Sequence, residues 1–267
     1  MNNFILCRYQ SQSNDTWIVL VIDENYIVDL TLWSLTKQDQ EKIKTKAILF
    51  DLDGTLVRTM EFHFAAWRKA MLHYGIDLAP EDYYPLEGTN LYELAKKLFA
   101  LHKLNGGDEK ELVNNKEKYY LDTNTFVLYP GVVELLNVIK SNNIKLGLVT
   151  ARLRNSLNST APLEFLKIFD SIITGNDTNE GKPSPQPFLK AAKKLGVMPE
   201  NCIAVENSPV GIASARNAKI YCIAICNTVD NSYLSGANEV VNSFEEMKHT
   251  EAFKKLIHWN FIFEINL

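Results

Sequence analysis

Several features that would mark a membrane, nucleic-acid-binding or secreted protein are missing from this sequence. No apolar run approaches the ~20 residues that a membrane-spanning helix requires. The formal net charge of −4 gives no electrostatic attraction to nucleic acid or to an anionic membrane. Residues 1–7 carry no basic leader, so a signal peptide is not expected. We therefore expect a cytoplasmic protein, a monomer or weak homodimer, that binds neither nucleic acid nor membrane.

Cysteine is scarce, and neither internal repeats nor low-complexity segments are visible. The chain has four cysteines in 267 residues, none in a Cys-x-x-Cys pair and three in apolar stretches. We predict buried, reduced thiols rather than a disulfide framework. With 46% hydrophobic and 22% charged residues, the composition is that of a globular protein long enough for one large and one smaller domain.

The first 45 residues differ in pattern from the rest of the chain. Two β-type runs, at 17–22 and 26–30, flank a turn signal and predict a hairpin followed by a linker. Because an isolated hairpin is marginally stable in water, it must dock elsewhere, and the strand-like tail 258–267 is a candidate. The segment carries no motif, so we interpret it as a structural addition rather than a binding module.

The remaining chain predicts an α/β fold with a helical insertion. Apolar residues recur at helical spacing through residues 59–128 without a strong strand signal. Helices and strands alternate after Pro130, which indicates a parallel sheet covered on both faces. We predict a Rossmann-like parallel-sheet core from residues 46–58 and 129–257, and a helical cap domain from residues 59–128.

The most informative stretch is Ile48–Leu56, where a short apolar strand ends in two aspartates and then a Gly-Thr pair. Ligands bind at the carboxyl ends of parallel strands, so Asp51 and Asp53 are predicted to lie at a binding edge. Two carboxylates this close repel each other unless a cation lies between them or one stays protonated. Either situation is useful in catalysis.

Further polar residues follow other predicted strands. Thr150 ends one strand, and Glu206 and Asn207 follow another. Lys182 lies in a Gly-Lys-Pro-Ser-Pro loop just before a helix. Together with Asp51, the Glu206 carboxylate and the Asn207 amide offer the hard oxygen ligands that Mg²⁺ prefers.

These residue types suit phosphoryl transfer. Asp51 can attack phosphorus as a nucleophile, since carboxylates serve in that role. Asp53 can protonate the leaving oxygen and later activate water. Lys182 adds a positive charge, and Thr150 a hydroxyl donor, for the developing negative charge on the phosphoryl oxygens.

The four motifs resemble those of the haloacid dehalogenase superfamily, and the resemblance covers about residues 46–257. Any one motif is moderately specific for this superfamily. The four motifs in this order, with a cap between the first two, are highly specific for it. The segments Thr59–Trp67 and Ala204–Gly211 are similar to the β-phosphoglucomutase-like branch, whose helical cap follows the first core strand.

The resemblance implies a Mg²⁺-dependent phosphatase of a small phosphorylated metabolite, such as a sugar phosphate. It implies an aspartyl-phosphate on Asp51 and a main-chain carbonyl of Asp53 on the metal. The implied phosphate-binding residues are Thr150, Ala151 and Lys182, and the implied metal ligands are Asp51, Asp53, Glu206 and Asn207.

Two alternatives stay open at this stage. A phosphomutase of the β-phosphoglucomutase type must hold a second phosphate, but Leu91 stands where a cap arginine would be expected, which favours a hydrolase. A catalytically silent binding protein is the other alternative, and the intact Asp51, Asp53 and Lys182 argue against it. Asn207 departs from the usual aspartate of the family, so weaker metal binding is expected.

The cap and the loop after Thr150 offer further candidates. His63, Thr89 and Asn90 are predicted to contribute to substrate specificity from the cap. Arg152 and Arg154 are predicted to be surface charges, either of which could meet a phosphate at the mouth of the pocket.

Overall fold

A computed structural model describes residues 45–123 and 125–254, so the predicted N-terminal hairpin and the tail 258–267 lie outside the described residues. The described strands form one parallel sheet in the order β3-β2-β1-β4-β5-β6, the strand order of a Rossmann-type fold. The strands are β1 Ala47–Phe50, β2 Lys145–Val149, β3 Ser171–Ile173, β4 Cys202–Glu206, β5 Tyr221–Ile225 and β6 Glu239–Val241.

Ten α-helices accompany the sheet in the part of the chain that the structure describes. They are α1 Met60–Met71, α2 Pro80–Tyr83, α3 Leu91–Leu101, α4 Glu109–Thr123, α5 Val132–Ser141, α6 Arg154–Thr160, α7 Leu163–Leu166, α8 Gln186–Leu195, α9 Pro209–Asn217 and α10 Phe244–Met247. In those same ranges, no helix combines the length and the apolar character that a membrane span needs.

Strand β1 lies between β2 and β4, and its four apolar residues are completely buried. In the parallel register, Phe50 stands opposite Leu148 of β2 and Val205 of β4. The carboxyl ends of these three strands therefore meet at one edge of the sheet. The polar residues that follow them are brought to that edge together.

The two faces of the sheet pack against different helices, as the two-residue period of a strand requires. Ile48 and Phe50 join one buried apolar cluster with Leu135 of α5. Leu49 points to the other face and joins a cluster with Phe188 of α8. Both faces of the sheet are therefore covered by apolar side chains. The polar residues of interest lie at the strand ends.

Helices α1–α4 form a third apolar cluster of their own, which includes Trp67, Leu98 and Leu112. The chain leaves and re-enters the sheet through two adjacent segments. The Arg58 main-chain N–H donates to Val127 O at 2.8 Å, and the Tyr129 N–H donates to Leu56 O at 3.0 Å. These paired segments connect the helical insertion to the end of β1.

The predicted α/β fold with a Rossmann-like parallel sheet is confirmed. The limits predicted for core and cap, 46–58 with 129–257 and 59–128, stay predictions. Three short elements were not predicted: α2, β6 and α10. Strand β6 has only three residues, and one of them is a glutamate, so its sequence carries little strand signal.

Candidate active site at the strand ends

One ammonium group lies between two carboxylates where β1 and β4 end. Lys182 Nζ is 2.6 Å from Asp51 Oδ1 and 2.6 Å from Glu206 Oε1. It also donates to Val149 O, at the end of β2, at 3.0 Å. All three charged side chains are buried. The loop before α8 thus brings the predicted phosphate-binding lysine into contact with the predicted nucleophile.

The charges in this cluster do not balance. Burial raises the pKa of Asp51, the Lys182 ammonium opposes that rise, and the neighbouring Asp53 adds to it. Burial likewise raises the pKa of Glu206, with Lys182 opposing and Asp51 adding. Burial alone would lower the pKa of Lys182, but the charges of Asp51 and Glu206 raise it. When both carboxylates are ionised, the single ammonium neutralises only one of the two negative charges. A bound cation could neutralise the other.

The oxygen atoms around Asp51 fit a hard divalent cation. Glu206 Oε1 is 2.6 Å from the Lys182 ammonium, and Glu206 Oε2 accepts from the Asn207 N–H at 3.3 Å. Asn207 Nδ2 donates to Thr228 Oγ1 at 2.7 Å, which turns Asn207 Oδ1 towards Thr55 Oγ1 at 3.2 Å. Carboxylate and amide oxygens are ligands that Mg²⁺ accepts. In the described ranges, no three carboxylate, imidazole or thiol groups are arranged to hold a metal ion, and the Asn207 amide is a further oxygen beside Asp51.

Two glycines give these ligands their space. Gly54 has a φ of +75°, and a Cβ there would lie 2.1 Å from Asn207 Nδ2. A Cβ on Gly211 would lie 2.1 Å from the Glu206 carboxyl carbon. Real Cβ atoms do not approach this closely, so the turn after Asp53 and the first turn of α9 both depend on glycine.

Thr150 and Ala151 follow β2, the strand next to β1. Thr150 is buried, and its Oγ1 accepts a hydrogen bond from the Arg152 main-chain N–H at 3.1 Å. Ala151 and Asp53 both line a small void between this edge of the sheet and the cap. Their roles in holding phosphate stay predictions, but both lie on the edge where Asp51 lies.

The Asp53 carboxylate is held by hydrogen bonds from Arg152 and Thr59. Arg152 Nε donates to Asp53 Oδ2 at 2.8 Å, and Thr59 Oγ1 donates to Asp53 Oδ1 at 2.5 Å. Burial alone would raise the pKa of Asp53, but the Arg152 charge and the hydrogen bonds from His63 and Arg152 hold it well below its ordinary value. The prediction that Arg152 is a surface charge was wrong, since only 4% of it is exposed.

A chain of polar contacts runs from Asp53 into the cap. His63 Nε2 lies 3.1 Å from Asp53 Oδ1, and Lys116 Nζ lies 3.0 Å from His63 Nδ1. Burial and the Lys116 charge lower the pKa of His63 to about 4, so its ring is neutral at pH 7. A neutral ring that accepts from Lys116 donates from Nε2 to Asp53. The ring also stacks on Tyr120 with centroids 4.0 Å apart.

The cap loop 87–90 reaches the same region. Asn90 is the N-cap of α3, where its Oδ1 accepts from the Tyr92 N–H at 3.0 Å. Thr89 is 1% exposed, and its hydroxyl has no hydrogen-bond partner among the residues that the structure describes. Glu87 accepts a hydrogen bond from Tyr83. The specificity roles predicted for His63, Thr89 and Asn90 stay predictions.

Sequence reasoning missed Lys116 and Glu87 and misassigned Arg152. Lys116 lies one helical turn from Leu112 and one from Tyr120, both buried, so a charge in that apolar stripe was a usable signal. No local signal in the sequence distinguishes the buried Arg152 from Arg154. The Arg154 side chain is 35% exposed and forms an ion pair with Asp177. Glu87 stands in a loop whose placement the sequence does not predict.

A parallel sheet with Asp51, Lys182 and Glu206 in contact at its central strand ends is typical of one class of hydrolases. The chain belongs to the family of haloacid dehalogenase-like hydrolases, since residues 48–225 match the profile of that family. The resemblance inferred from the motifs, including the β-phosphoglucomutase-like branch, is confirmed.

Individual relatives agree with this assignment. The chain is 30% identical over 188 residues to the beta-phosphoglucomutase of Bacillus subtilis. The alignment covers 67% of this chain and 83% of that protein. It is 30% identical over 177 residues to a phosphorylated carbohydrates phosphatase of Thermotoga maritima, with 66% and 82% covered. The crystal structure of beta-phosphoglucomutase from Clostridium difficile superposes with a TM-score of 0.69 at 29% identity, covering 81% of this chain and 99% of that one.

Proposed function

We propose that the protein is a Mg²⁺-dependent phosphatase that hydrolyses the phosphate ester of a small metabolite, a sugar phosphate, through an aspartyl-phosphate on Asp51. The observation that carries this is the position of Asp51, buried at the central strand end and 2.6 Å from the Lys182 ammonium, with Asp53 two residues away. Phosphorylated carbohydrates are also what the Thermotoga maritima relative acts on, according to its name.

The reaction proceeds in two steps. Asp53 is ionised beside Arg152 in this structure, so it must take up a proton when the substrate binds. An oxygen of Asp51 then attacks phosphorus, and the bond from phosphorus to the leaving oxygen breaks while Asp53 gives that oxygen the proton. Water then attacks the same phosphorus and gives a proton to Asp53, and the bond to Asp51 breaks. Inorganic phosphate leaves, and both aspartates return to their starting state.

The surrounding residues stabilise charge in both steps. Lys182 lies where it can contact phosphoryl oxygens as well as Asp51, and Thr150 with Ala151 forms the neighbouring strand end. Mg²⁺ would be held by the Asp51 carboxylate, the Asp53 carbonyl, Glu206 and Asn207 (all at this edge). The metal, when bound, neutralises charge between carboxylates and phosphate.

A phosphomutase is disfavoured by the lining of the pocket. Leu91 stands where the resemblance to phosphomutases implies an arginine for a second phosphate, and it is buried among apolar residues of the cap. Lys116 is already paired with Glu117 at 2.7 Å. A silent binding protein is disfavoured because Asp51 and Lys182 are in direct contact. A cytoplasmic location and a monomer or weak homodimer stay part of the proposal, and they rest on the sequence alone.

The test is a phosphatase assay with p-nitrophenyl phosphate and a panel of sugar phosphates, with and without Mg²⁺. We expect Mg²⁺-dependent turnover that Asp51→Asn abolishes and that the exposed Asp122→Asn leaves unchanged. Thermal unfolding should show that Asp51→Asn is folded. Activity above a few per cent in folded Asp51→Asn would overturn the covalent mechanism, and transfer of phosphate to a second hydroxyl of the substrate without release would favour a mutase.

A further inference from the structure

A small void separates Asp53 from the cap loop. It is lined by Asp53, His63, Glu87, Thr89, Lys116 and Arg152, among others. Its volume of about 20 Å³ suits a water molecule and not a sugar. Because Asp53 is the group that protonates the leaving oxygen, the alcohol part of a substrate would occupy this side of the pocket once the cap opens.

The cations that line the void are already neutralised, in the part of the chain that the structure describes. Arg152 forms an ion pair with Asp53, and Lys116 forms one with Glu117. Both ring nitrogens of His63 are already in contact with neighbours, Nδ1 with Lys116 at 3.0 Å and Nε2 with Asp53 at 3.1 Å. A second phosphate or a carboxylate on the substrate would find no cation that lacks a carboxylate partner here.

Glu87 is the unbalanced charge of the void. Its carboxylate accepts a hydrogen bond from Tyr83 and forms no ion pair in the described ranges. Burial, followed by the charge of Asp53, raises its pKa to about 7, while the Tyr83 hydrogen bond and the Lys116 charge oppose the rise. An additional anion beside Glu87 would meet repulsion, whereas a hydroxyl could donate to it.

Thr89 supplies the second observation. Its hydroxyl is buried, lines the same void and has no partner among the described residues. A buried polar group without a partner is unfavourable, and a ligand hydroxyl would satisfy it. Glu87 and Thr89 thus present an acceptor and a donor–acceptor group two residues apart.

The loop that carries both residues is fitted against the core. A Cβ on Gly88, whose φ is +83°, would lie 2.9 Å from Ser208 Oγ. A Cβ on Gly181 would lie 2.7 Å from Asn90 Cβ. The loop is therefore in contact with core loops on two sides, and the carboxylate and hydroxyl have a defined position relative to Asp53.

We infer that Glu87 and Thr89 form a subsite for the hydroxyl groups of a neutral sugar or polyol, and that Glu87 excludes leaving groups with a second phosphate or a carboxylate. This inference rests on the proposed phosphatase function and specifies its substrate class. Glucose 6-phosphate, fructose 6-phosphate and glycerol 3-phosphate belong to the accepted class. Their acidic counterparts, 6-phosphogluconate, fructose 1,6-bisphosphate and 3-phosphoglycerate, belong to the excluded class.

The experiment compares kcat/KM within these three pairs at about pH 8, where Glu87 is mostly ionised. We expect the neutral member to be favoured by at least ~10-fold in each pair that is turned over. Glu87→Gln should reduce that ratio by roughly 10-fold, since it removes the charge and keeps the shape. Thr89→Val should lower kcat/KM for the neutral esters. Glu93→Gln, an exposed change on the same cap, should leave the ratios at their wild-type values.

Binding is measured separately, by calorimetry on Asp51→Asn protein with and without Glu87→Gln. The same preference for the neutral member, weakened by Glu87→Gln, is expected in the dissociation constants. A wild-type protein that does not discriminate, a ratio unchanged by Glu87→Gln, or turnover of p-nitrophenyl phosphate with none of the neutral esters would overturn the inference alone. Absence of any Asp51-dependent phosphatase activity would instead overturn the proposed function.

Discussion

Arg152 and Asp53, which are 99 residues apart in the chain, form a bidentate ion pair. Arg152 Nε lies 2.8 Å from Oδ2 of the aspartate, and Nη2 lies 2.5 Å from Oδ1. The remaining guanidinium contacts go to Thr160 and Tyr120. The proposed acid–base group is therefore oriented by an arginine from the loop after β2, in addition to the cap histidine.

This pair leads to a prediction for Arg152→Lys. A lysine keeps the charge but cannot contact both oxygens in a fixed plane, so Asp53 loses its orientation. We expect kcat to fall by roughly 10-fold with KM within about twofold, because positioning rather than binding is affected. Steady-state kinetics with p-nitrophenyl phosphate measures this. Arg154→Lys is the matched control two residues away, and wild-type kcat in Arg152→Lys would show that the bidentate contact is not used.

Lys182→Met should cost both activity and stability. The substitution removes the cation that two buried carboxylates share, and leaving buried charges without a partner costs about 3–5 kcal/mol. Urea unfolding at pH 7 measures the free energy of unfolding, and the same protein is assayed for turnover. The exposed Lys167→Met is the control for loss of a positive charge. A stable and inactive Lys182→Met would mean that Asp51 and Glu206 become protonated at little cost.

Asn207→Asp should tighten Mg²⁺ binding. The change adds a carboxylate at the position of Asn207 Oδ1, and ligand charge increases affinity for a hard cation. Thr228 can still contact the new side chain, since its hydroxyl can donate as well as accept. Mg²⁺ titration of activity and calorimetry with Mn²⁺ both report the affinity. Asn158→Asp, an exposed change of the same charge, is the control, and weaker or unchanged half-saturation would exclude Asn207 as a ligand.

Asp177 gives a prediction for stability against pH. Burial alone would raise the pKa of Asp177, but hydrogen bonds from the Thr174 N–H and hydroxyl and the Arg154 charge lower it. A lowered folded pKa means that the stabilisation is present above the unfolded value and is lost as the pH falls through the folded one. Asp177→Asn should therefore reduce the free energy of unfolding by ~1 kcal/mol at pH 7.

The difference between wild type and Asp177→Asn should shrink when the pH falls from about 5 to about 3. Urea unfolding at several pH values tests this, with exposed Asp122→Asn as the control. A difference that stays constant down to about pH 3 would show that the hydrogen bonds do not depend on the charge of Asp177.

Much of the fold could be predicted from local patterns, because the signals are local. Apolar runs such as Ala47–Phe50 predict a buried parallel strand, and a polar residue directly after such a run must lie at the strand end. The same argument predicted the edge position of Asp51, Thr150 and Glu206 without knowledge of the strand order. It did not find β6, a three-residue strand with a mixed composition.

The order of the strands and the partners of charged side chains depended on tertiary structure. Lys182 meets Asp51 across 131 residues, and Lys116 meets His63 across 53. Whether a lysine or arginine is buried depends on which distant carboxylate neutralises it, and no pattern around that residue records the partner. The sequence by itself therefore determined which residues follow the strands, whereas only tertiary packing, within the core for Arg152 and of cap on core for Lys116 and Glu87, decided that these residues surround Asp53.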